Sequence, residues 1–156
     1  MRFAPVMRHT LVSGLSCAEV LYQIEQSTQV IDDEYITENA RFNGRFFNAS
    51  FRISPKIRTP QNAVPLLVGK VEDTSRGSII FLTIRLFPAG VLYLKVSTLL
   101  CMLVGMIFLL LSPQFSNACI AFGLGIINYL ILYVNFRMRA QQAVSDLEEI
   151  LAQVGE

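Results

Sequence analysis

The sequence predicts an α+β membrane protein: an N-terminal amphipathic helix, a four-stranded antiparallel sheet, a transmembrane helical hairpin and a C-terminal amphipathic helix. Three observations carry this reading. From Val96 to Phe136 there is no Asp, Glu, Lys, Arg or His, an uncharged run of 41 residues. That suffices for two membrane-spanning helices of about 20 residues each. Between Tyr35 and Leu86, short segments rich in Phe, Ile and Val are separated by turn residues, the pattern of strands. Before and after these stretches, residues 17–27 and the stretch following Arg137 repeat their apolar side chains at helical spacing.

Hydrophobic residues make up 53% of the chain and its mean hydropathy is positive, which the uncharged run explains. The remaining 115 residues suffice for one small domain. We divide the chain into a cytoplasmic α+β domain (1–90), a hairpin (91–136, with spans near 91–112 and 118–136) and a C-terminal helix (137–156) that packs back on the sheet.

Met1 to Gly14 has no clear periodicity and reads as an extended or poorly ordered lead. Ser16 and Glu19 then form an S-x-x-E capping box, with Leu15 and Val20 placed as its hydrophobic staple. Cys17, Val20, Leu21 and Ile24 follow on one helical face. Arg41–Phe47 and Ser50–Ser54 read as two strands joined near Asn48-Ala49. Leu66–Glu72 and Ser78–Leu86 read as a second hairpin across the five residues Asp73 to Gly77, which sets Gly69 opposite Phe81 and Val71 opposite Ile79. That register makes both faces of the hairpin apolar, so something must cover each.

Ser54-Pro55, Thr59-Pro60 and Val64-Pro65 favour an extended connection between the hairpins. Its cations, Arg52, Lys56 and Arg58, are candidate contacts for anionic lipid. Pro88-Ala89-Gly90 stops the last strand, and Ser112-Pro113 breaks the uncharged run into two. Beyond Arg137, Val144, Leu147, Ile150, Leu151 and Val154 share one helical side, away from Asp146, Glu148 and Glu149. Charge is unevenly placed: −4 over residues 1–40 and +7 over 41–95. Arg85 and Lys95 precede the first span, Arg137 and Arg139 follow the second, and the loop between is uncharged, so both termini are expected in the cytoplasm.

The motifs Phe42-x-Gly44, Phe51-x-Ile53, Pro65-x-x-x-Gly69-Lys70-x-Glu72 and Arg85-Leu86-x-Pro88, ahead of the hydrophobic hairpin, resemble a group of small uncharacterised bacterial membrane proteins. The resemblance implies a β-rich cytoplasmic domain followed by two spans in a bacterial inner membrane, and no activity.

The chemistry-bearing residues are few. His9 is the only histidine and no nucleophile pairs with it by motif. Asp32-Asp33-Glu34 and Glu38 lack the glycine turn and ligand spacing of a calcium loop. The phenylalanines of the basic middle fit strand cores better than a nucleic-acid platform. We therefore expect no enzyme, cofactor, metal or nucleic-acid partner. Within the spans, small residues recur at three- and four-residue spacing, with Gly105, Ala121, Gly125 and Asn128 as candidates for helix packing or for a protein partner or second copy. The expected role is a non-enzymatic accessory, assembly or scaffold component of a membrane complex. The alternative is a membrane-apposed, PH-like lipid or ligand sensor using Lys56, Arg58, Lys70 and Arg85.

Overall fold

A computed structural model describes residues 4–30, 40–56, 63–110 and 115–152. The chain folds as α+β, with a six-stranded mixed sheet in the order β1-β6-β5-β4-β3-β2 and three helices. The strands are β1 (Val6–Ser13), β2 (Thr28–Val30), β3 (Phe42–Phe47), β4 (Ser50–Pro55), β5 (Pro65–Thr74) and β6 (Gly77–Leu86); the helices are α1 (Cys17–Gln26), α2 (Pro88–Leu110) and α3 (Phe115–Ala152).

Strands β3 to β6 are those expected, in an antiparallel meander; β1 and β2 are additional and raise the sheet from four strands to six. The first of them makes the lead, expected to be extended or poorly ordered, an extended strand paired into the sheet. On β1 only Leu11 is buried, because an edge strand paired to β6 alone need not alternate strictly. β2 has three residues, too few for a periodic signal, and it pairs in parallel with β3. Since β1 and β2 lie at opposite edges, the connection between them must cross the whole inner face, and α1 makes that crossing.

The start of α1 follows its sequence. Ser16 Oγ accepts from Glu19 N, and Ser16 N donates to the Glu19 carboxylate at 2.8 Å, which holds that carboxyl below its usual range, first through the backbone bond. Cys17 N donates to Asp73 Oδ1 at 2.7 Å, so the β5–β6 hairpin supplies a further cap. Val20 and Ile24 turn inward and are completely buried.

The β5–β6 register corrects the expected one. The loop is not five residues but two: Ser75-Arg76 turn, Gly77 takes the positive φ of +129°, and Thr74 faces Gly77. Gly69 consequently faces Leu82 rather than Phe81, and Val71 faces Ile80 rather than Ile79. A one-residue slip exchanges faces in a structure of period two. Leu67, Gly69 and Val71 therefore join Ile80, Leu82, Ile84 and Leu86 on one buried face, while Lys70, Glu72, Phe81 and Arg85 line the other, which stays open. The hairpin has one face to cover, not two.

Two helices cover it. Phe42, Phe51, Ile53, Leu67, Val71, Ile80, Leu82 and Ile84 pack with α1 and with Phe136, Ala140, Ala143, Val144, Leu147 and Ile150 of α3. α3 runs without interruption from Phe115 to Ala152, through the division expected at 136/137. Val154 and the break at Ser112-Pro113 lie outside the described residues. Both α2 and α3 contain stretches long and apolar enough to cross a membrane, and side chains such as Leu99, Leu103, Met106, Ile120, Ile127 and Ile131 are exposed along them.

Gly69 fixes the centre of the sheet. It sits opposite Phe51, and a Cβ there would overlap the Phe51 ring. We expect Gly69→Ala to cost about 1–3 kcal/mol. In a double-mutant cycle by thermal unfolding in detergent, Phe51→Leu should recover part of that loss; strictly additive effects would show that the ring does not rest on Gly69.

Candidate functional site

Helices α2 and α3 run antiparallel, and the candidate small residues lie in the seam between them. A Cβ on Gly105 would stand 2.6 Å from the Phe122 ring, and one on Gly125 would stand 3.1 Å from Cys101 Cβ. Ala118 and Ala121 are buried on the same side of α3. Asn128 is held across the seam: its Nδ2 donates to Ser97 Oγ at 2.9 Å, and Tyr93 Oη donates to its Oδ1 at 3.3 Å. Ser97 Oγ in turn donates to the carbonyl of Leu94 at 3.2 Å. Gly105, Gly125 and Asn128 thus each have a neighbour on the facing helix, and Ala121 is buried. Asn128 is also level with the exposed Lys95, at the charged end of the seam rather than at its middle.

At that end, a cavity of about 280 Å³ opens between three elements, lined by Ala63, Tyr93, Asn128, Ile131, Leu132, Asn135 and Arg139. Asn128, Leu132, Asn135 and Arg139 form one stripe of α3, Tyr93 comes from α2, and Ala63 from the run into β5. That run was expected to be part of an extended loop, but Ala63 to Leu67 are all buried. Of the seven lining residues, four are polar, one of these is cationic and none is acidic.

The candidate lipid-contacting cations do not form one group. Arg52 lies on the open face of β4, directly opposite Val68 of β5 and Arg45 of β3. Lys56 follows the end of β4 and is exposed, and Arg58 lies outside the described residues. Lys70 pairs with Glu72 at 2.7 Å on the open face of β5. Arg85 is on the same face of β6, opposite Leu66. Four residues along the ladder, about 13 Å, separate it from Lys70.

Pairing across the strands shows what the sequence left unassembled. Arg8, Thr83, Val68, Arg52 and Arg45 form one row over five strands, and Thr10, Phe81, Lys70, Ser50 and Phe47 form the next. Among the described residues, the open face thus carries Arg8, Arg45, Arg52, Lys70 and Arg85, and Glu72 is its one carboxylate. Arg8 escaped the sequence reading because β1 did. Tyr93, Ser97 and Arg139 escaped it as seam and cavity residues because their neighbours lie far along the chain.

His9, on β1, approaches Glu148 of α3 at 3.6 Å, with both side chains half-exposed. Arg41 binds Glu149 at 2.9 Å and, through this hydrogen bond and its charge, holds that carboxyl below its usual range. The pair therefore favours the fold above the ordinary carboxylate range and loses its effect as pH falls through the lowered value. Cys17, Cys101 and Cys119 are free; burial and the neighbouring Asp73 raise the Cys17 thiol. Among the described residues, no three His, Cys, Asp or Glu side chains are grouped to hold a metal ion, and the acidic run Asp32-Asp33-Glu34 with Glu38 lies outside them.

Comparison of the chain with protein-family models, curated proteins and solved structures yields no match.

The Asn128 bridge has a measurable consequence. Asn128→Leu removes the acceptor of the Tyr93 hydroxyl and the donor to Ser97 Oγ and should destabilise the α2–α3 seam by about 0.6–2 kcal/mol, read as a shift in the detergent-unfolding midpoint. Tyr93→Phe should cost less in the Asn128→Leu background than in the wild type. Equal costs in both would mean that the two side chains are not coupled.

Proposed function

We propose that the protein is a non-enzymatic, membrane-anchored scaffold: α2 and the first part of α3 cross the bilayer, and the open face of the sheet docks an acidic segment of a neighbouring protein. The observation that carries this reading is the charge of that face, where among the described residues Arg8, Arg52, Lys70 and Arg85 stand with Glu72 as the one carboxylate. Complementary charge gives such a face its specificity and its rate of encounter. Phe47 and Phe81, 58% and 45% exposed, add apolar contact beside the cations.

Membrane insertion is supported by the outward aliphatic side chains of both helices, a surface far larger than a monomer in water commonly leaves bare. Orientation is supported by Lys95 and Arg137 at the two outer ends of the uncharged run. The same arrangement explains why the face can serve as a platform. α3 contains no proline and its only glycines, Gly123 and Gly125, lie in its first third, so one stiff helix ties the sheet to the span. A second reading, a lipid or ligand sensor, is supported by the cavity between Tyr93, Asn135 and Arg139.

Reporter fusions at residues 1 and 156 should both read as cytoplasmic; a periplasmic signal from either would end the hairpin reading. For the platform, a photo-crosslinking residue in place of Thr83 or Val68, used in native membranes, should capture a partner through an acidic segment. Arg52→Glu with Arg85→Glu should abolish the adduct, and acidic-to-lysine changes in the partner should restore it. Adducts indifferent to charge reversal, or none at all, would overturn the scaffold reading.

A further inference from the structure

We infer that the free edge of β1 is a strand-addition site, where the acidic segment of the scaffold reading, on which this rests, docks as a seventh strand with its carboxylates at alternate positions. The two edges of the sheet are unlike. β2 ends one side with three residues, too few to hold another strand, whereas β1 ends the other with eight. The pairing of β1 to β6 runs from Val6 to Ser13 with neither a bulge nor a proline. Along about 27 Å, one row of backbone N–H and C=O groups therefore points away from β6. Among the described residues no strand pairs with that row. Another extended backbone is the partner that satisfies such a row donor for acceptor.

The side chains flanking the edge say what that backbone carries. On the helix-covered side, a groove of about 460 Å³ lies between residues 9–14 and the Glu148, Leu151 and Ala152 side of α3. Leu11 is buried there, so the groove suits apolar side chains. Glu148 lies 3.6 Å from His9, and a further carboxylate on this side would meet one already present. On the open side the edge presents Arg8, Thr10 and Val12, with Arg85 on the neighbouring β6. A carboxylate beside Arg8 gains an opposite-charge pair across the strands. Side chains alternate between the two faces of a strand. The segment that fits is thus apolar inward and acidic outward, in strict alternation.

A second copy does not fit this edge. β1 starts at the membrane end of the sheet, where Val6 faces Arg85 and the chain enters α2 at Pro88, and it leads away to Ser13. Two copies in one bilayer are related by an axis along its normal. That rotation keeps both strands rising in the same direction and sets the helix-covered face of one beside the open face of the other. Antiparallel self-pairing of the edges would instead put one copy's spans on the wrong side of the sheet. A segment of a different protein is free of this constraint.

The probe is a synthetic peptide of alternating Val and Glu, matched in length to β1 and titrated against the full chain in nanodiscs. Binding should slow amide hydrogen exchange within residues 6–13. Alternate amides of an extended peptide point to the same edge. Of two peptides N-methylated at every Val or at every Glu, one should therefore lose binding and the other keep it; indifference to the methylated set overturns the inference. Arg8 is exposed, and Arg8→Glu should weaken binding about tenfold. Lys56→Glu, the same change three strands away, should leave it unaltered, and equal loss with both overturns the site. In native membranes, a photo-crosslinking residue at Val12, 81% exposed, should capture the partner that Val68 captures. An adduct at Val68 without one at Val12 overturns strand addition and leaves the scaffold reading standing; no adduct at either removes the scaffold reading itself. Val12 adducts to a second copy, or to residues 153–156 of the same chain, assign the edge to those occupants and overturn the inference.

Discussion

One stripe of α3 holds the molecule together. Ala118, Ala121, Gly125, Asn128, Leu132, Phe136, Ala140, Ala143, Leu147 and Ile150 follow one another at spacings of three, four or their sum, so a single helical face turns inward along almost the whole of this 38-residue element. Its partner changes partway. The first half of the stripe meets α2 and the second meets the sheet. On the opposite side the residues change instead from Ile120, Ile127 and Ile131 to Arg137, Gln141, Glu148 and Glu149. An unchanged inner face thus lies beneath an outer one that changes from apolar to charged, within a single helix without a joint. A break in the helix at 136/137 would interrupt the packing stripe at Phe136, which is almost wholly buried.

The sheet depends on this stripe through its register. A single face can be covered by α1 and α3 together, and the two-residue turn at Ser75-Arg76 gathers the large apolar residues of both strands onto that face. A loop of five residues would have divided them between two sides. Sequence spacing alone does not separate these outcomes, because Thr74 and Gly77 suit a strand end as readily as a loop; what decides is the Gly77 backbone and the packing gained when Leu67 and Val71 join Ile80 and Leu82.

What could be read from the residues was whatever is local. The Ser16–Glu19 box, the amphipathic face of α1, the strands β3 to β6 and the two apolar helices each depend on neighbours within a turn or a ladder. What could not be read was set from a distance. β1 is held by pairing with a strand some seventy residues on, and β2, of three residues, by pairing with β3. The candidate site divides in the same way. The small residues of the seam were visible as a stripe, but their fit to Phe122, Cys101, Tyr93 and Ser97 required the two helices to be placed together. The basic face was visible only as an excess of cations over residues 41–95, because Arg8, Arg52 and Arg45 become neighbours only once five strands are aligned.

The same packing limits how the chain can associate. Small residues promote helix association in a bilayer when they leave room for another backbone. Here Gly105 receives Phe122, Gly125 lies against Cys101 and Asn128 is bridged to Ser97, so the close-approach positions are already filled by the hairpin itself. A second copy meeting the first through the open sheet face would bring Arg8, Arg52 and Arg85 toward their own equivalents, since a two-fold contact apposes like with like. Among the described residues, Glu72 is the only carboxylate on that face, and it is bound to Lys70. Charge therefore disfavours self-pairing there; on the scaffold reading proposed above, the carboxylates would come from a different protein.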